Sequence, residues 1–173
     1  LTIAEDREGA IEGARLTYIG AYNNVANSLV SISAALGVRL TLVCPIKDVG
    51  SVDEESREKL AGAGLLSETL NVKEAVKDAD YVYTDTWLDM EYFHDPEYEK
   101  VKNERSALML PYQINDTLMQ GSEAKIMHDM PIHPGYEMAE DMVECDRSII
   151  YDQAENRLDA QKAIMLHLLQ ELK

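Results

Sequence analysis

The run Ala14-Arg15-Leu16-Thr17-Tyr18-Ile19-Gly20, with Ala21-Tyr22-Asn23-Asn24, Val25 to Leu36, Gly37 and Arg39-Leu40-Thr41-Leu42-Val43 behind it, decides the fold class. Ala14 to Gly20 reads as a short buried strand with Leu16, Tyr18 and Ile19 as its apolar content. Val25, Leu29, Ile32 and Leu36 recur at helical spacing, and Gly37 suits a C-cap. Arg39 to Val43 is a second strand, which Pro45 is expected to stop. A helix between two short apolar strands implies parallel pairing, because parallel neighbours need a crossover and antiparallel ones need only a tight turn.

The same alternation continues outward. Leu1 to Glu12 is rich in charge and reads as the end of a helix or a linker. Asp53 to Ala63 is a polar helix ending at Gly62 or Gly64, Leu65 to Leu70 a third short strand, and Val72 to Asp78 a short helix. Tyr81-Val82-Tyr83-Thr84 is the next strand, and His94 to Arg105 a highly charged, solvated helix. Pro111 to Asn115 leads into a helix expected to end near Gly121, and Lys125 to His128 is a further strand. Ser148 to Tyr151 is a short apolar run, and Glu155 to Leu172 a closing helix with Leu158, Gln161, Met165, Leu168 and Leu172 on one face. Alternating strands and helices over the whole length predict an α/β fold, a Rossmann-like three-layer sandwich with a parallel sheet and helices on both faces.

At 173 residues the length fits one domain with a proper core, and the 46% apolar and 28% charged content is ordinary for a globular protein. No apolar run approaches the roughly 20 residues needed to span a bilayer. Thirty-two acidic against 16 basic residues leave a net charge of −16, which argues against nucleic acid or an anionic membrane as partner. Cys44 and Cys145 lie far apart without metal-type spacing, and Cys44 at the end of an apolar strand reads as a buried, reduced thiol. Reduced cysteines point to a cytoplasmic location.

Polar groups gather where strands end. Gly20 to Asn24 joins a strand, a glycine turn and a helix start; Asn23 or Asn24 caps the helix, or the free amides hold a ligand. No G-x-G-x-x-G occurs, so a dinucleotide site is poorly supported. Asp85 to Glu91 places three carboxylates beside Trp87 and Met90, either solvated or facing an amine or a metal. His128, Asp129 and His133 suit no standard zinc motif. Met130-Pro131 is open to a cis bond, although only about one X-Pro bond in twenty adopts it. Arg157, read as lying near the start of the closing helix, is free to hold phosphate or a carbonyl oxygen, or to pair with Glu155 or Asp152.

Five motifs in order carry a resemblance: Gly20 to Asn24 with Ser28; Asp85-Thr86-Trp87-Leu88-Asp89-Met90; Tyr112-Gln113-Ile114-Asn115; His128-Asp129-Met130-Pro131; and Ala154-Glu155-Asn156-Arg157 with Gln161-Lys162-Ala163. Over essentially all 173 residues the chain resembles the second-substrate domain of the aspartate and ornithine carbamoyltransferases, closer to the ornithine-type branch. The resemblance implies transfer of the carbamoyl group from carbamoyl phosphate to an amine, with release of phosphate and no metal or organic cofactor. It assigns Asn24, with Asn23 beside it, to the acceptor carboxylate, and Asp85 to the acceptor amino groups. Asp89 and Met90 belong to the same acceptor motif. The His128 to Pro131 backbone, including Met130, lines the carbamoyl group, and Arg157 holds its oxygen. His128, Asp129 and Arg157 form the catalytic set. The family also implies a homotrimer, or a multiple of trimers, with sites between domains and subunits.

The pattern departs from the family where Asp129 replaces the ornithine-type Cys, Asp89 a Ser, Glu91 a Gly, and Ala21 an Asp. Added carboxylates in an acceptor pocket repel an α-carboxylate and attract a cation, which suggests an acceptor other than ornithine, such as a diamine or a modified basic amino acid. The family's Ser-x-Arg-Thr and His-Pro-x-Gln motifs, which bind carbamoyl phosphate, do not occur here. Residues 1–173 are therefore expected to form the acceptor-binding domain of a longer enzyme, inactive by themselves and self-associating weakly through the closing helix. Two alternatives are a non-catalytic paralogue that binds an amine or a protein partner, and a generic nucleotide binder.

Overall fold

A computed structural model describes residues 1–48, 50, 52–88 and 92–171, the side chain of Glu171 excepted. The leading segment forms β1 (Arg15–Tyr22), α2 (Asn24–Leu36) and β2 (Arg39–Lys47), preceded by a short α1 (Thr2–Asp6). Next come α3 (Glu54–Gly62), β3 (Leu66–Glu68), α4 (Val72–Lys77), β4 (Tyr81–Thr84), α5 (Glu99–Met109), β5 (Lys125–His128) and α6 (Ile150–Glu171). The sheet runs β3-β2-β1-β4-β5 and all its pairings are parallel. This is the doubly wound order, whose direction of winding reverses between β1 and β4.

Burial on both faces of the sheet explains why its strands carry near-continuous apolar runs. From β1, Leu16, Tyr18 and Tyr22 join Val30, Leu40, Leu42 and Leu60 in the core on the α2 and α3 side. Ile19 joins Val43, Val82, Ile126, Val76 and Ile150 on the opposite side. The three-layer sandwich is thus as predicted, but α4 covers this second face together with an irregular stretch that supplies Ile114, Met119, Met138 and Met142. Asn23 caps α2 by accepting the Val25 and Ala26 N–H groups at 3.0 and 3.2 Å. Gly37 ends the helix at φ 68°, a left-handed conformation, and a Cβ there would meet Glu12 Cγ at 2.9 Å.

Five local expectations need correction. β2 continues through Pro45 to Lys47, because the register with β1 shifts there from Ile19↔Val43 to Ala21↔Ile46. Such a bulge tolerates a residue without an N–H, and β3, whose last partner is Leu42, makes no demand on that side. Gly20 lies inside β1 rather than in a turn; a Cβ there would sit 2.8 Å from the Tyr18 hydroxyl, which donates to the Ala21 carbonyl at 2.9 Å. The charged segment beginning at His94 turns helical only at the 3-10 turn Pro96–Tyr98, and α5 then runs on to Met109. The segment after Asn115 is a single turn, not a helix: Asn115 caps it by accepting the Leu118 N–H at 2.9 Å. α6 begins at Ile150, so Arg157 lies within the helix instead of at its start. Ile150 is fully buried against the core, and that anchorage starts the helix early.

Both cysteines are free, and burial pushes the Cys44 thiol up to about 12. Among the described residues no helix is long and apolar enough to cross a membrane.

Candidate active site

The carboxyl ends of β1, β4 and β5 bring three motifs together. Thr84 is in register with Ile19 of β1 and with His128 of β5, so the residues just beyond, Asp85 and Asp129, emerge side by side. Asn23 stands at the end of β1 across the point where the strand order reverses, the place where open α/β sheets bind ligands. Its side chain has two partners. The oxygen caps α2, and the amide nitrogen donates to Asp85 Oδ2 at 2.9 Å. Of the two readings the sequence leaves open at this turn, helix capping is the one the structure shows for Asn23. Asn24, the first residue of α2, is exposed, and its carboxamide makes no hydrogen bond among the described residues.

Asp85 is nearly buried, at 7% exposure, and its Oδ1 accepts the Thr86 N–H at 2.7 Å. Trp87 beside it is buried, and its carbonyl accepts from Arg105 Nη1 at 3.2 Å. Arg105 also reaches Asp48 beyond β2 at 2.5 Å, tying the loop after β4 to a strand end two positions away in the sheet. Asp129 is half-buried. Desolvation and, next, the Asp85 carboxylate raise its carboxyl to about 6. Tyr18 and Tyr83, buried beneath the pair, have hydroxyl pKa values raised above the usual range, mainly by their own desolvation.

The loop after β5 is tightly held. The His128 ring is wholly buried, and its Nδ1 accepts the Met130 N–H at 2.9 Å. Met130 has φ 57°, a left-handed backbone that a non-glycine residue adopts only when held there. The Met130–Pro131 bond is cis, one of the two conformers the sequence left open. Behind the loop lies Glu137, fully buried, 3.3 Å from His128 Nε2 and accepting the His133 N–H at 2.6 Å. Nothing in the sequence alone marks Glu137 as functional. Its signal was a carboxylate four residues after His133 across the Pro134-Gly135 turn, which only a buried location makes significant. His133, stacked on Phe93 at 3.5 Å between centroids, has its pKa lowered by desolvation.

Arg157 stands apart. It is exposed on α6 and makes no hydrogen bond or ion pair among the described residues, so neither Asp152 nor Glu155 holds it. Its neighbour Asn156 anchors the helix instead, donating to Thr2 Oγ1 at 3.1 Å and Glu5 Oε2 at 2.5 Å on α1. The structure therefore unites Asn23, Asp85, His128, Asp129, Met130 and Pro131 and leaves Asn24 on the rim and Arg157 unpaired. Asp89 and Met90 lie outside the described residues, as does Glu91.

Residues 12–168 match the Asp/Orn-binding domain of the aspartate/ornithine carbamoyltransferases. The ornithine carbamoyltransferase of Halalkalibacterium halodurans is 38% identical over 98% of this chain and 52% of its own length. That of Archaeoglobus fulgidus is 37% identical over 98% of this chain and 53% of its own length. The solved ornithine carbamoyltransferase of Pyrococcus furiosus superposes with a TM-score of 0.80 at 34% identity, covering 95% of this chain and 52% of that one. The chain thus spans about half the length of the curated relatives it matches. With the doubly wound sheet and the motifs meeting at its switch point, these likenesses mean that the chain belongs to the aspartate/ornithine carbamoyltransferase family, over its Asp/Orn-binding domain.

Proposed function

We propose that residues 1–173 are the acceptor-binding domain of a longer carbamoyltransferase, which moves the carbamoyl group of carbamoyl phosphate to an amine of ornithine or a related basic amine. The observation that carries this reading is the Asn23–Asp85–Asp129 arrangement at the sheet's switch point, an anionic socket suited to a cationic amine. Ornithine is favoured over a diamine by the names of the relatives at 37–38% identity. The carboxylates that depart from the family pattern are the reason to test both.

In this reading the free carboxamide of Asn24 takes the acceptor's carboxylate and Asp85 its amino groups. The bound ammonium first gives up a proton, for which Asp129 is the nearest raised carboxyl, and the freed lone pair attacks the carbamoyl carbon, forming the C–N bond; the nitrogen's second surplus proton leaves with the departing phosphate. The bond from carbon to the phosphate oxygen then breaks and phosphate leaves. Arg157 balances the negative charge on the tetrahedral oxygen. The His128–Pro131 backbone fixes the carbamoyl group, and Asp89 and Met90 complete the acceptor side. Holding two substrates in line supplies much of the remaining rate. The reaction needs no metal or organic cofactor. The whole enzyme is a cytoplasmic homotrimer or a multiple of trimers in this reading.

The test is phosphate release by the full-length protein with carbamoyl phosphate and a panel of ornithine, lysine, putrescine, agmatine, aspartate and acetylated ornithine. Turnover with ornithine supports the leading reading. Faster turnover with a diamine reassigns the acceptor. Silence with every amine, together with no binding of carbamoyl phosphate, moves the protein to the non-catalytic class.

A further inference from the structure

Beneath the acceptor loop lies a buried group that the carbamoyl-transfer reading does not use. The carboxyl of Glu137 and the ring of His128 are both fully buried. The His128 Nδ1 accepts the Met130 N–H at 2.9 Å, so that nitrogen presents a lone pair and the ring hydrogen belongs on Nε2. Nε2 lies 3.3 Å from Glu137 Oε1, somewhat off line for a hydrogen bond, and has no other polar partner among the described residues. A buried ring nitrogen with one polar neighbour takes that neighbour as its acceptor. Catalytic hydrogen bonds are often long or misaligned before substrates bind.

The carboxyl is itself anchored. Oε1 accepts the His133 N–H at 2.6 Å, and the Glu137 carbonyl accepts the Ile114 N–H at 3.0 Å. Oε2 is 3.9 Å from His133 Nδ1 and forms no hydrogen bond among the described residues. On its far side the His128 ring holds the amide of Met130, whose left-handed φ of 57° needs an external hold. Asp129 and Pro131 flank that amide.

We propose that Glu137 is a positioning residue for the acceptor loop: its buried carboxyl fixes His128 as the Nε2–H tautomer, and the bare Nδ1 holds the Met130 amide and thereby the Asp129-Met130-Pro131 backbone against the substrates. The inference rests on the carbamoyl-transfer reading for its kinetic readout and on the tautomer for an independent one.

The experiment uses the full-length protein labelled with 15N-histidine, as wild type, Glu137→Gln and Glu137→Ala. In the wild type His128 is expected as a neutral ring with its hydrogen on Nε2. A hydrogen on Nδ1, or on both nitrogens, overturns the proposal even if Glu137→Ala fails to fold. Glu137→Ala is expected to lower kcat by about 10²-fold, the scale of a displacement of roughly 1 Å at reacting groups, with KM for carbamoyl phosphate little changed. Glu137→Gln keeps an acceptor oxygen toward Nε2 and is expected to recover most of that loss. A folded Glu137→Ala with wild-type kcat overturns the proposal, as does a Gln variant as defective as the Ala variant. A wild type that has the Nε2–H tautomer but transfers no carbamoyl group overturns the functional reading and supports the positioning geometry.

Discussion

At the carboxyl ends of β1, β4 and β5 the polar side chains are committed to one another, whereas along α6 beyond Asn156 they make, among the described residues, only the local Lys162–Asp159 ion pair at 3.2 Å. Asn23 is shared between a helix cap and Asp85, and the Asp129 loop is pinned through His128. By contrast, Arg157 is unpaired among the described residues, and Leu158, Ile164, Met165, Leu166, Leu168 and Leu169 are 56–61% exposed. The difference separates two ways of building a site. The socket proposed for the amine is organised by the fold of this domain before any ligand arrives, and preorganised dipoles cost nothing to arrange during reaction. Arg157, the charge proposed for the carbamoyl oxygen, has no such support among the described residues.

The largest expected effect breaks the loose side. Arg157→Ala in the full-length enzyme is expected to lower kcat by about 10²- to 10³-fold, the scale of a lost oxyanion donor. The melting temperature of the isolated domain should not change, since the side chain makes no bond there; a domain destabilised by the substitution would contradict the contrast. Asp85→Ala should disturb both binding and folding. It leaves the Asn23 amide without its partner, at a cost of about 1–3 kcal/mol seen in denaturant melts. It also raises KM for the amine by about tenfold, equivalent to 1.4 kcal/mol of lost binding. An unchanged melt with raised KM would mean that Asn23 and Asp85 are not coupled.

Asp129 sharpens the comparison through pH. Its folded-state carboxyl is raised to about 6 from 3.8, so the folded form holds the proton more tightly than the unfolded chain does. The stability it contributes is fully present below about 3.8 and is lost as pH rises through about 6. Over the same window the socket gains negative charge, so KM for a cationic amine should fall. Asp129→Asn should flatten both profiles; a KM limb near pH 6 that survives the substitution would assign it elsewhere. The smallest effect concerns α6. The isolated domain should self-associate weakly through its exposed leucines, and Leu166→Glu with Leu169→Glu should abolish this in light scattering. A clean monomer at high concentration before substitution would refute it.

The sheet was legible in the sequence because its strands are buried on both faces and carry continuous apolar runs, and because Asn23, Asp53 and Gly37 punctuate the helices between them. Boundaries were lost where tertiary context overrode a local rule. Pro45 sits in a bulge on a strand whose outer neighbour has already ended, and Ile150 is drawn into helix by the core it joins. The helix expected after Asn115 failed because Ile114 and Met119 are used individually as core plugs, with a single capped turn between them.

For the candidate site, the motifs at the ends of β1, β4 and β5 were legible in the sequence, since strand ends in a doubly wound sheet converge wherever they fall along the chain, whereas Arg157 on α6 stays apart from them. The tertiary structure alone decided how they share the labour. Parallel register set Asp85 beside Asp129, and that proximity with desolvation raises one carboxyl. Burial turned Glu137, one of 32 acidic residues, into the partner of the His128 ring. Spacing along a chain specifies which face or end a residue reaches; dielectric and hydrogen-bond partners come only from what packs around it, and those determine the chemistry it can perform.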